Sequence, residues 1–239
     1  MTNKGKLYLI PNLLGGEDVS IIPNYTKDIA CSLDIFIVEN VRNARRYLIS
    51  LGIREAGKVI DDLVFHHLDK HAQKNEFREF LDEAYNGKNI GLISDAGCPA
   101  IADPGAYLVK TAHRRSIEVV PLVGPSSILL ALMASGMNGQ AFAFAGYVPF
   151  KREDRIKRLQ QLEKWATQQR QTQIFIEAPY RNDGLLSDIL QNCHPATKLC
   201  VAVNLTLPNQ LVISQSIENW KNGTLPELHK QPAIFLLGR

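Results

Sequence analysis

A chain of 239 residues with 45% hydrophobic and 21% charged residues is long enough for one large core or two smaller ones, and its composition is that of a globular protein. No apolar run approaches the roughly 20 residues of a membrane span, and residues 1–12 lack the apolar core of a signal peptide, so a cytoplasmic protein is expected. The net charge of +3 is uneven, because Lys151–Arg170 carries seven basic and three acidic residues, or +4.

Short apolar runs alternate with helical patterns, which is typical of an α/β chain. The predicted strands of the first half are Lys6–Ile10, Leu33–Val38, Asn89–Ile93 and Ile117–Pro121, and its predicted helices are Arg42–Leu51, Glu76–Asn86 and Ala106–Arg115. This half is expected to form a mainly parallel sheet covered by helices.

The second half contains closely spaced strands, which predict a hairpin and therefore a mixed sheet. Its predicted strands are Ala141–Ala145, Thr172–Ile176, Lys198–Val203, Gln210–Ser216 and Ala233–Leu237, and its predicted helices are Ser126–Ala134, Asp154–Gln169 and Gly184–Gln191. The segment VGPSS interrupts the pattern, so we predict two α/β domains, residues 1–121 and 122–239, with a ligand cleft between them.

Three loops rich in glycine and proline follow predicted strands of the first half. They are PNLLGG at Pro11–Gly16, SDAGCPAIADPG at Ser94–Gly105 and LVGPSS at Leu122–Ser127. None contains a P-loop lysine or the GxGxxG spacing of a dinucleotide fingerprint. Small residues at strand ends allow a ligand to approach the backbone closely, so the loops predict a cofactor site.

The motifs of the chain resemble those of the tetrapyrrole methylase superfamily of S-adenosylmethionine (SAM) enzymes. They are similar to the bacterial branch that methylates a cytidine ribose 2′-hydroxyl of small-subunit ribosomal RNA. In order, the chain has LYLIPNLLGG, VENVR, LISDAGCPAIADPG, VVPLVGPSS, FAGYVPF, IFIEAPYR, AVNLTL and PAIFLLG. That branch has PxGNL, AEDTR, LxSDAGTPxxxDPG, VVPxPGPSA, FxGFLP, LxFYESxHR, ARELTK and a terminal apolar strand at similar spacing.

The resemblance implies SAM as the cofactor, and it implies a set of cofactor-binding positions. These are Leu14, Ala96, Gly97, Cys98, Ile101, Ser126, Ser127, Glu177, Thr206, Pro232 and Ala233. SAM has no phosphate, which agrees with loops that lack lysine and arginine. Small residues expose backbone groups to the cofactor, and serine hydroxyls add adjustable hydrogen bonds.

Charged positions on the substrate side depart from the family pattern. Where the family has ARELTK, the Arg, Glu and Lys positions are Val203, Asn204 and Leu207. Where the family has AEDTR, this chain keeps only Glu39 and Arg42 as charged residues. A ribose hydroxyl needs a base to remove its proton. The resemblance offers Glu39 and Asp95 as catalytic carboxylates, with Glu177 as a further carboxylate near the same site.

The basic segment has two interpretations. It is either a solvated helix face with i,i+4 ion pairs or a surface that contacts RNA phosphates through Lys151, Arg152, Arg155, Lys157 and Arg158. The expected partners are therefore ribosomal RNA or the small ribosomal subunit, and a second copy of the chain, since the resemblance implies a homodimer. No membrane or DNA partner is expected.

No metal site is expected. In FHHLDKH, His67 and His71 would share one face of a helix, but no matching Cys/His cluster accompanies them. The four cysteines form no CxxC pair and are expected to be reduced, with Cys98 a small residue at a family threonine position. Asp103, before Pro104 and a helix start, is expected to hold a turn.

Three functions remain open from the sequence. The first is methyl transfer from SAM to a ribose hydroxyl of ribosomal RNA. The second is methyl transfer to a small molecule of the tetrapyrrole type. The third is SAM binding without methyl transfer, to which the lost charged positions point.

Overall fold

A computed structural model describes residues 4–68 and 76–239 as two compact units, which divide after Ser126. The sequence places the division a few residues earlier, after Pro121. The intervening segment packs on the first unit, because the Thr26 hydroxyl donates to the Val123 carbonyl at 2.8 Å. A Cβ atom on Gly124 would lie only 2.3 Å from Pro11 Cβ, so these loops are in close contact.

The first unit contains a five-stranded sheet in which every pairing is parallel. Its strands are β1 Lys6–Ile10, β2 Ile35–Val38, β3 Val64–His67, β4 Ile90–Ile93 and β5 Glu118–Pro121, in the order β3-β2-β4-β1-β5. The internal strands β2 and β4 are buried at every residue, as continuous apolar runs in a parallel sheet predict.

Helices and loops of the first unit pack on both faces of this sheet. The helices are α1 Asn24–Ser32, α2 Val41–Leu51, α3 Glu76–Glu79, α4 Asp82–Tyr85 and α5 Gly105–Arg114. Alternate residues of a strand point to opposite faces, and two buried clusters follow: Phe36 packs with Leu48 of α2, and Leu7 with Leu108 of α5.

The first unit differs from its predicted elements at several places. The single helix predicted over Glu76–Asn86 is two short helices, and α1 and β3 were not predicted. The histidine prediction was also wrong in geometry, since His67 ends a strand and not a helix. His71 lies outside the described residues. Within 4–68 and 76–239, no group of three or more His, Cys, Asp or Glu side chains could hold a metal ion.

The second unit has the mixed sheet that the sequence predicts. Its strands are β6 Phe142–Tyr147, β7 Thr172–Ile176, β8 Lys198–Val203, β9 Leu211–Ser216 and β10 Ala233–Gly238, in the order β6-β7-β10-β8-β9. Only β6 and β7 pair in parallel among these strands, and β8 and β9 form the predicted hairpin.

The second unit also buries both faces of its sheet. Its helices are α6 Ser127–Ser135, α7 Arg152–Gln168, α8 Asn182–Asn192 and α9 Ile217–Asn222. The main core includes the stacked rings of Phe175 and Phe235, whose centroids are 5.9 Å apart. The Trp220 indole N–H donates to the Leu199 carbonyl at 2.9 Å, which fixes the short helix α9, not predicted from sequence, against the sheet.

None of the helices in the described part of the chain is both long enough and apolar enough to cross a membrane.

Candidate functional site

Loops of the first unit meet at one edge of its sheet. Because the strands are parallel, the loops after β1, β4 and β5 leave the same edge, and these three strands are adjacent. This is the edge at which open α/β sheets bind ligands. Leu14, Ala96, Gly97, Cys98, Ile101 and Ser126 all lie in these three loops, while Ser127 is the first residue of α6.

Asn12 joins the first loop to the second. Its backbone N–H donates to the Gly97 carbonyl at 2.9 Å, and its side-chain amide donates to the Ser94 carbonyl at 3.0 Å. The Gly97 N–H donates back to the Leu13 carbonyl at 3.4 Å. Asn12 was not predicted from sequence. The available signal was a polar residue directly after a buried strand, where a buried amide must find partners.

Gly97 and Cys98 form the tight part of the second loop. Gly97 has φ of 66°, a conformation that favours glycine, and a Cβ atom there would lie 3.2 Å from Leu14 Cδ2. The Cys98 thiol donates to the Pro125 carbonyl at 3.5 Å. Burial raises the pKa of Cys98, although a hydrogen bond with the Ser126 side chain opposes this change. A neutral thiol agrees with a packing role.

Asp103 holds the remainder of the second loop. Its carboxylate accepts from the backbone N–H groups of Ala100 at 2.8 Å and Gly105 at 2.7 Å. Ala100 and Ala102 have φ of 67° and 60°, which alanine rarely adopts. Between them Ile101 is 52% exposed. The turn therefore presents an apolar side chain at the loop surface, in a strained backbone of the kind that often occurs at binding sites.

The two carboxylates predicted as catalytic lie together. Glu39 Oε1 accepts from the Asp95 backbone N–H at 3.2 Å, and the Asn43 amide donates to Asp95 Oδ1 at 3.3 Å. Asn40 caps α2 by accepting from the Asn43 N–H at 3.1 Å, which explains why a family carboxylate can be replaced there. Asp95 is exposed and held at the loop edge, so it is accessible to a ligand.

A cavity of about 550 Å³ adjoins Asp95. It is bounded by the first loop, by α2 and by the start of the second loop. The lining residues are Asn12, Leu13, Leu14, Gly15, Gly16, Glu17, Asn43, Arg46, Tyr47, Ile49, Ser50, Asp95 and Ala96. The Tyr47 hydroxyl donates to the Pro11 carbonyl at 2.6 Å, so this buried tyrosine stabilises the first loop from beneath.

The remaining predicted cofactor residues lie at one edge of the second unit's sheet. Strands β7 and β8 end where the antiparallel strand β10 begins, so Glu177, Thr206, Pro232 and Ala233 share that edge. Asn204, at a family glutamate position, donates its backbone N–H to the Pro232 carbonyl at 3.0 Å. Its side-chain amide donates to Gln231 Oε1 at 2.6 Å, so this residue fixes the turn before β10.

Buried polar atoms at this edge lack partners among the described residues. The Glu177 carboxylate is fully buried, pairs with Arg181 through Oε1, and leaves Oε2 without a hydrogen bond. The Thr206 hydroxyl oxygen, on a residue with φ of 74°, is also buried without a partner. An unsatisfied buried polar group costs about 1–3 kcal/mol, so both atoms indicate a place where a ligand or water binds.

Arg155, one of the predicted phosphate-contacting residues, is engaged within the protein. Its Nε and Nη2 donate to Asp188 Oδ2 at 2.8 and 2.6 Å, and its side chain is only 12% exposed. Arg152 donates from Nε to the other oxygen of Asp188 at 2.8 Å. Asp188 was not predicted from sequence; an acidic residue on the apolar face of α8 was the available signal.

The other residues of the predicted basic surface are more accessible. Lys151 and Lys157 are exposed. Arg158 lies over the Trp165 ring, with Cζ 5.1 Å from the centroid, and donates to Gln161 at 2.9 Å. Contact of these residues with phosphates stays a prediction, and Lys151 and Lys157 are the two exposed lysines among them.

Comparisons with known proteins show the family. The model of the family "Tetrapyrrole (Corrin/Porphyrin) Methylases" matches residues 42–220, about three quarters of the chain. A ribosomal RNA small subunit methyltransferase I of Vibrio cholerae serotype O1 is 30% identical over 84% of this chain. The protein of the same name from Bacillus subtilis (strain 168) is 33% identical over 78% of it. The chain spans 65% and 59% of these relatives' lengths, so it matches about two thirds or less of each.

Solved structures share the fold. The methyltransferase CobJ has a TM-score of 0.64 and 17% identity, covering 98% of this chain and 94% of its own. The uroporphyrin-III C-methyl transferase of Thermus thermophilus, complexed with S-adenyl homocysteine, has a TM-score of 0.56 and 15% identity, with 98% of both chains covered. With the family match over most of its length and two units of the corresponding fold, this chain belongs to the tetrapyrrole methylase family.

Proposed function

We propose that the protein is a SAM-dependent methyltransferase that methylates a ribose hydroxyl of small-subunit ribosomal RNA. The observation that carries this proposal is the joined pair of loops at Asn12 and Gly97, in a chain whose relatives are named ribosomal RNA small subunit methyltransferase I.

The residues present fit SAM. Loops Pro11–Gly16 and Ser94–Gly105 contain no lysine or arginine, as suits a cofactor without phosphate groups. Gly97 leaves room beside Leu14, and Ile101 offers an apolar surface. In the second unit the unpartnered atoms of Glu177 and Thr206 are suited to polar groups of a ligand. The structural neighbour with S-adenyl homocysteine supports the same cofactor class.

Asp95 is the carboxylate best placed to accept a proton from a substrate hydroxyl. When bound, SAM supplies an electrophilic methyl group. Glu39 holds the Asp95 backbone, and Asn43 leaves the second Asp95 carboxylate oxygen available. Glu39 therefore positions Asp95, and Asp95 is the proposed general base. Most of the rate enhancement would come from orienting the two reactants.

Methyl mapping of ribosomal RNA tests the proposal directly. We expect one ribose methylation of small-subunit RNA to be absent from a deletion strain and restored by the parent gene, but not by Asp95→Ala. Calorimetry should show that Asp95→Ala still binds SAM, because that carboxylate acts on the acceptor. Identical methylation maps of deletion strain and parent would refute the RNA substrate.

The same methylation and calorimetry experiments distinguish two other functions from this proposal. The fold neighbours named for uroporphyrin-III favour a small tetrapyrrole acceptor. That function predicts methyl transfer to a tetrapyrrole and no change in RNA methylation. The replacement of charged family positions by Val203, Asn204 and Leu207 favours SAM binding without turnover, which predicts calorimetric binding and no methylated product.

We further propose a homodimer acting in the cytoplasm, where ribosomal subunits are available as substrate. Leu129 and Met133 of α6 are exposed and four residues apart, so they lie on one helix face. An exposed apolar helix face of this kind supports pairing with a second copy. Light scattering at micromolar concentration should give twice the chain mass, and Met133→Glu should reduce it.

A further inference from the structure

Three exposed aromatic side chains lie at the edge of the second unit where β6 and β7 end. Tyr147, Phe150 and Tyr180, here called the aromatic patch, are 61%, 72% and 60% exposed. Single exposed apolar residues are ordinary, but three large rings around one strand edge are a feature that marks interaction sites. The predicted cofactor residues of this unit do not include any of them.

Arg181 connects two rings of the patch. Its Cζ lies 4.8 Å from the centroid of Phe150 and 5.4 Å from that of Tyr180. The guanidinium is paired with the buried carboxylate of Glu177, and the Arg181 side chain is 23% exposed. Two of the rings therefore contact a cation that is itself ion-paired, and binding there costs less side-chain entropy than binding to freely rotating rings.

The backbone that carries the patch is also fixed. Arg155 Nη1 donates to the Phe150 carbonyl at 3.0 Å, so the ion pair with Asp188 extends to this loop. On the other side, the Lys230 N–H donates to the Pro179 carbonyl at 3.1 Å. Exposed Lys151 follows Phe150 directly, and exposed Lys230 lies beside the turn of Tyr180. One exposed lysine thus lies on the backbone beside Phe150 and another on the backbone beside Tyr180.

We propose that the aromatic patch stacks unpaired nucleobases of the RNA substrate, with Lys151 and Lys230 against the flanking phosphates. This inference rests on the proposed function. Single-stranded RNA offers flat bases alternating with negative charges, and exposed rings flanked by lysines match that alternation. Stacking is tolerant of base identity, so the patch would orient a splayed segment while other residues select the nucleotide.

Binding of a fluorescein-labelled, unstructured 12-nucleotide RNA, measured by anisotropy, tests the proposal. Loss of one stacked base weakens binding by about five-fold or more, so Phe150→Ala and Tyr180→Ala should each do so. Phe150→Trp should retain the parent affinity, because the larger ring still stacks. Phe142→Ala is the matched control, since Phe142 is an exposed ring at the start of β6, at the opposite end of that strand from Tyr147.

An RNA with an abasic site provides the second test. Scanning that site along the 12-mer should reveal positions where the parent loses affinity and Phe150→Ala does not, because the ring that would stack is already missing. Equal RNA affinity of parent, Phe150→Ala and Tyr180→Ala would overturn the proposal. It would also be overturned if these variants bound uroporphyrin more weakly while binding RNA normally, or if they converted a dimer to monomers.

Calorimetry with SAM separates this inference from the proposed function. All patch variants should bind SAM as the parent does. A parent that does not bind SAM, yet binds RNA in a Phe150-dependent manner, would refute the methyltransferase proposal and leave the patch standing. A parent that binds SAM and methylates ribosomal RNA with Phe150→Ala fully active and normal in RNA affinity would refute the patch alone.

Discussion

Two nitrogens of Arg155 donate to one carboxylate oxygen of Asp188, at 2.8 and 2.6 Å, and the Asp188 side chain is 3% exposed. This pair joins α7 to α8 across the second unit. A basic residue that the sequence offers as an RNA contact is therefore neutralised by an acidic residue 33 positions later.

Removing Asp188 should destabilise the protein. Asp188→Ala leaves Arg155 buried without a counter-charge, and breaking a buried pair in this way costs about 3 kcal/mol. The measurement is the free energy of unfolding in urea. Lys157→Gln, an exposed change on α7, should stay within about 0.5 kcal/mol of the parent. A loss below about 1 kcal/mol in Asp188→Ala would mean that water replaces the carboxylate.

The exposed lysines of the same segment should carry its RNA affinity. If Lys151 and Lys157 each neutralise one phosphate, then each change to Gln should reduce the slope of log affinity against log salt by about one. SAM affinity should not change. Filter binding of ribosomal RNA over a salt series measures the slope, and Lys221→Gln on α9 is the control. An unchanged slope in both variants would assign α7 a purely structural role.

Regular elements with clear apolar periodicity could be predicted from the sequence. β1 and β7 lie where the local pattern places them. Helix α1 was missed because most of Asn24–Ser32 is polar and only three of its residues are buried. Strand β3 was missed because its histidines alternate poorly with apolar residues. Its extended conformation comes from parallel pairing with β2, a tertiary contact that no local window contains.

The same reasoning applies to the candidate site. The three loops could be predicted, because glycine and proline after a strand mark a turn wherever the chain goes next. The roles of Asn12 and Asp188 could not, because each depends on a partner more than thirty positions away. Asn40 replaces a family carboxylate, and the structure gives a local reason. Its side-chain oxygen caps α2, which the comparison of motifs does not reveal.

Asp103 should make stability depend on pH. Burial raises the pKa of Asp103 from an ordinary 3.8 to about 6, against hydrogen bonds from Gly105 and Ala100 and with a contribution from the nearby Glu39 charge. The folded state therefore holds the proton more tightly than the unfolded chain. The stabilising contribution of the protonated group is complete below pH 3.8 and is lost as the pH rises to about 6.

Asp103→Asn isolates this effect from other acidic groups. The free energy of unfolding of the parent, minus that of Asp103→Asn, should fall between pH 4 and about pH 6.5 and stay constant above it. Urea unfolding of both proteins across this range is the measurement. A difference that rises with pH would show that the backbone hydrogen bonds to the carboxylate outweigh its burial.

Gly97 should be essential for cofactor binding, and no larger residue should be able to replace it. Its φ of 66° disfavours any side chain, and a Cβ atom would already lie 3.2 Å from Leu14, so the ring in Gly97→Phe must enter the space beside the loop. We expect calorimetry to detect no SAM binding by this variant.

Gly184→Ala is the control, because Gly184 lies in α8 with no atom within 4 Å of an added Cβ. Since alanine is the better helix former, that variant should gain up to about 1 kcal/mol of stability and bind SAM normally. If Gly97→Phe keeps the parent affinity while remaining folded by circular dichroism, SAM binds elsewhere and the loop at Gly97 is only a structural turn.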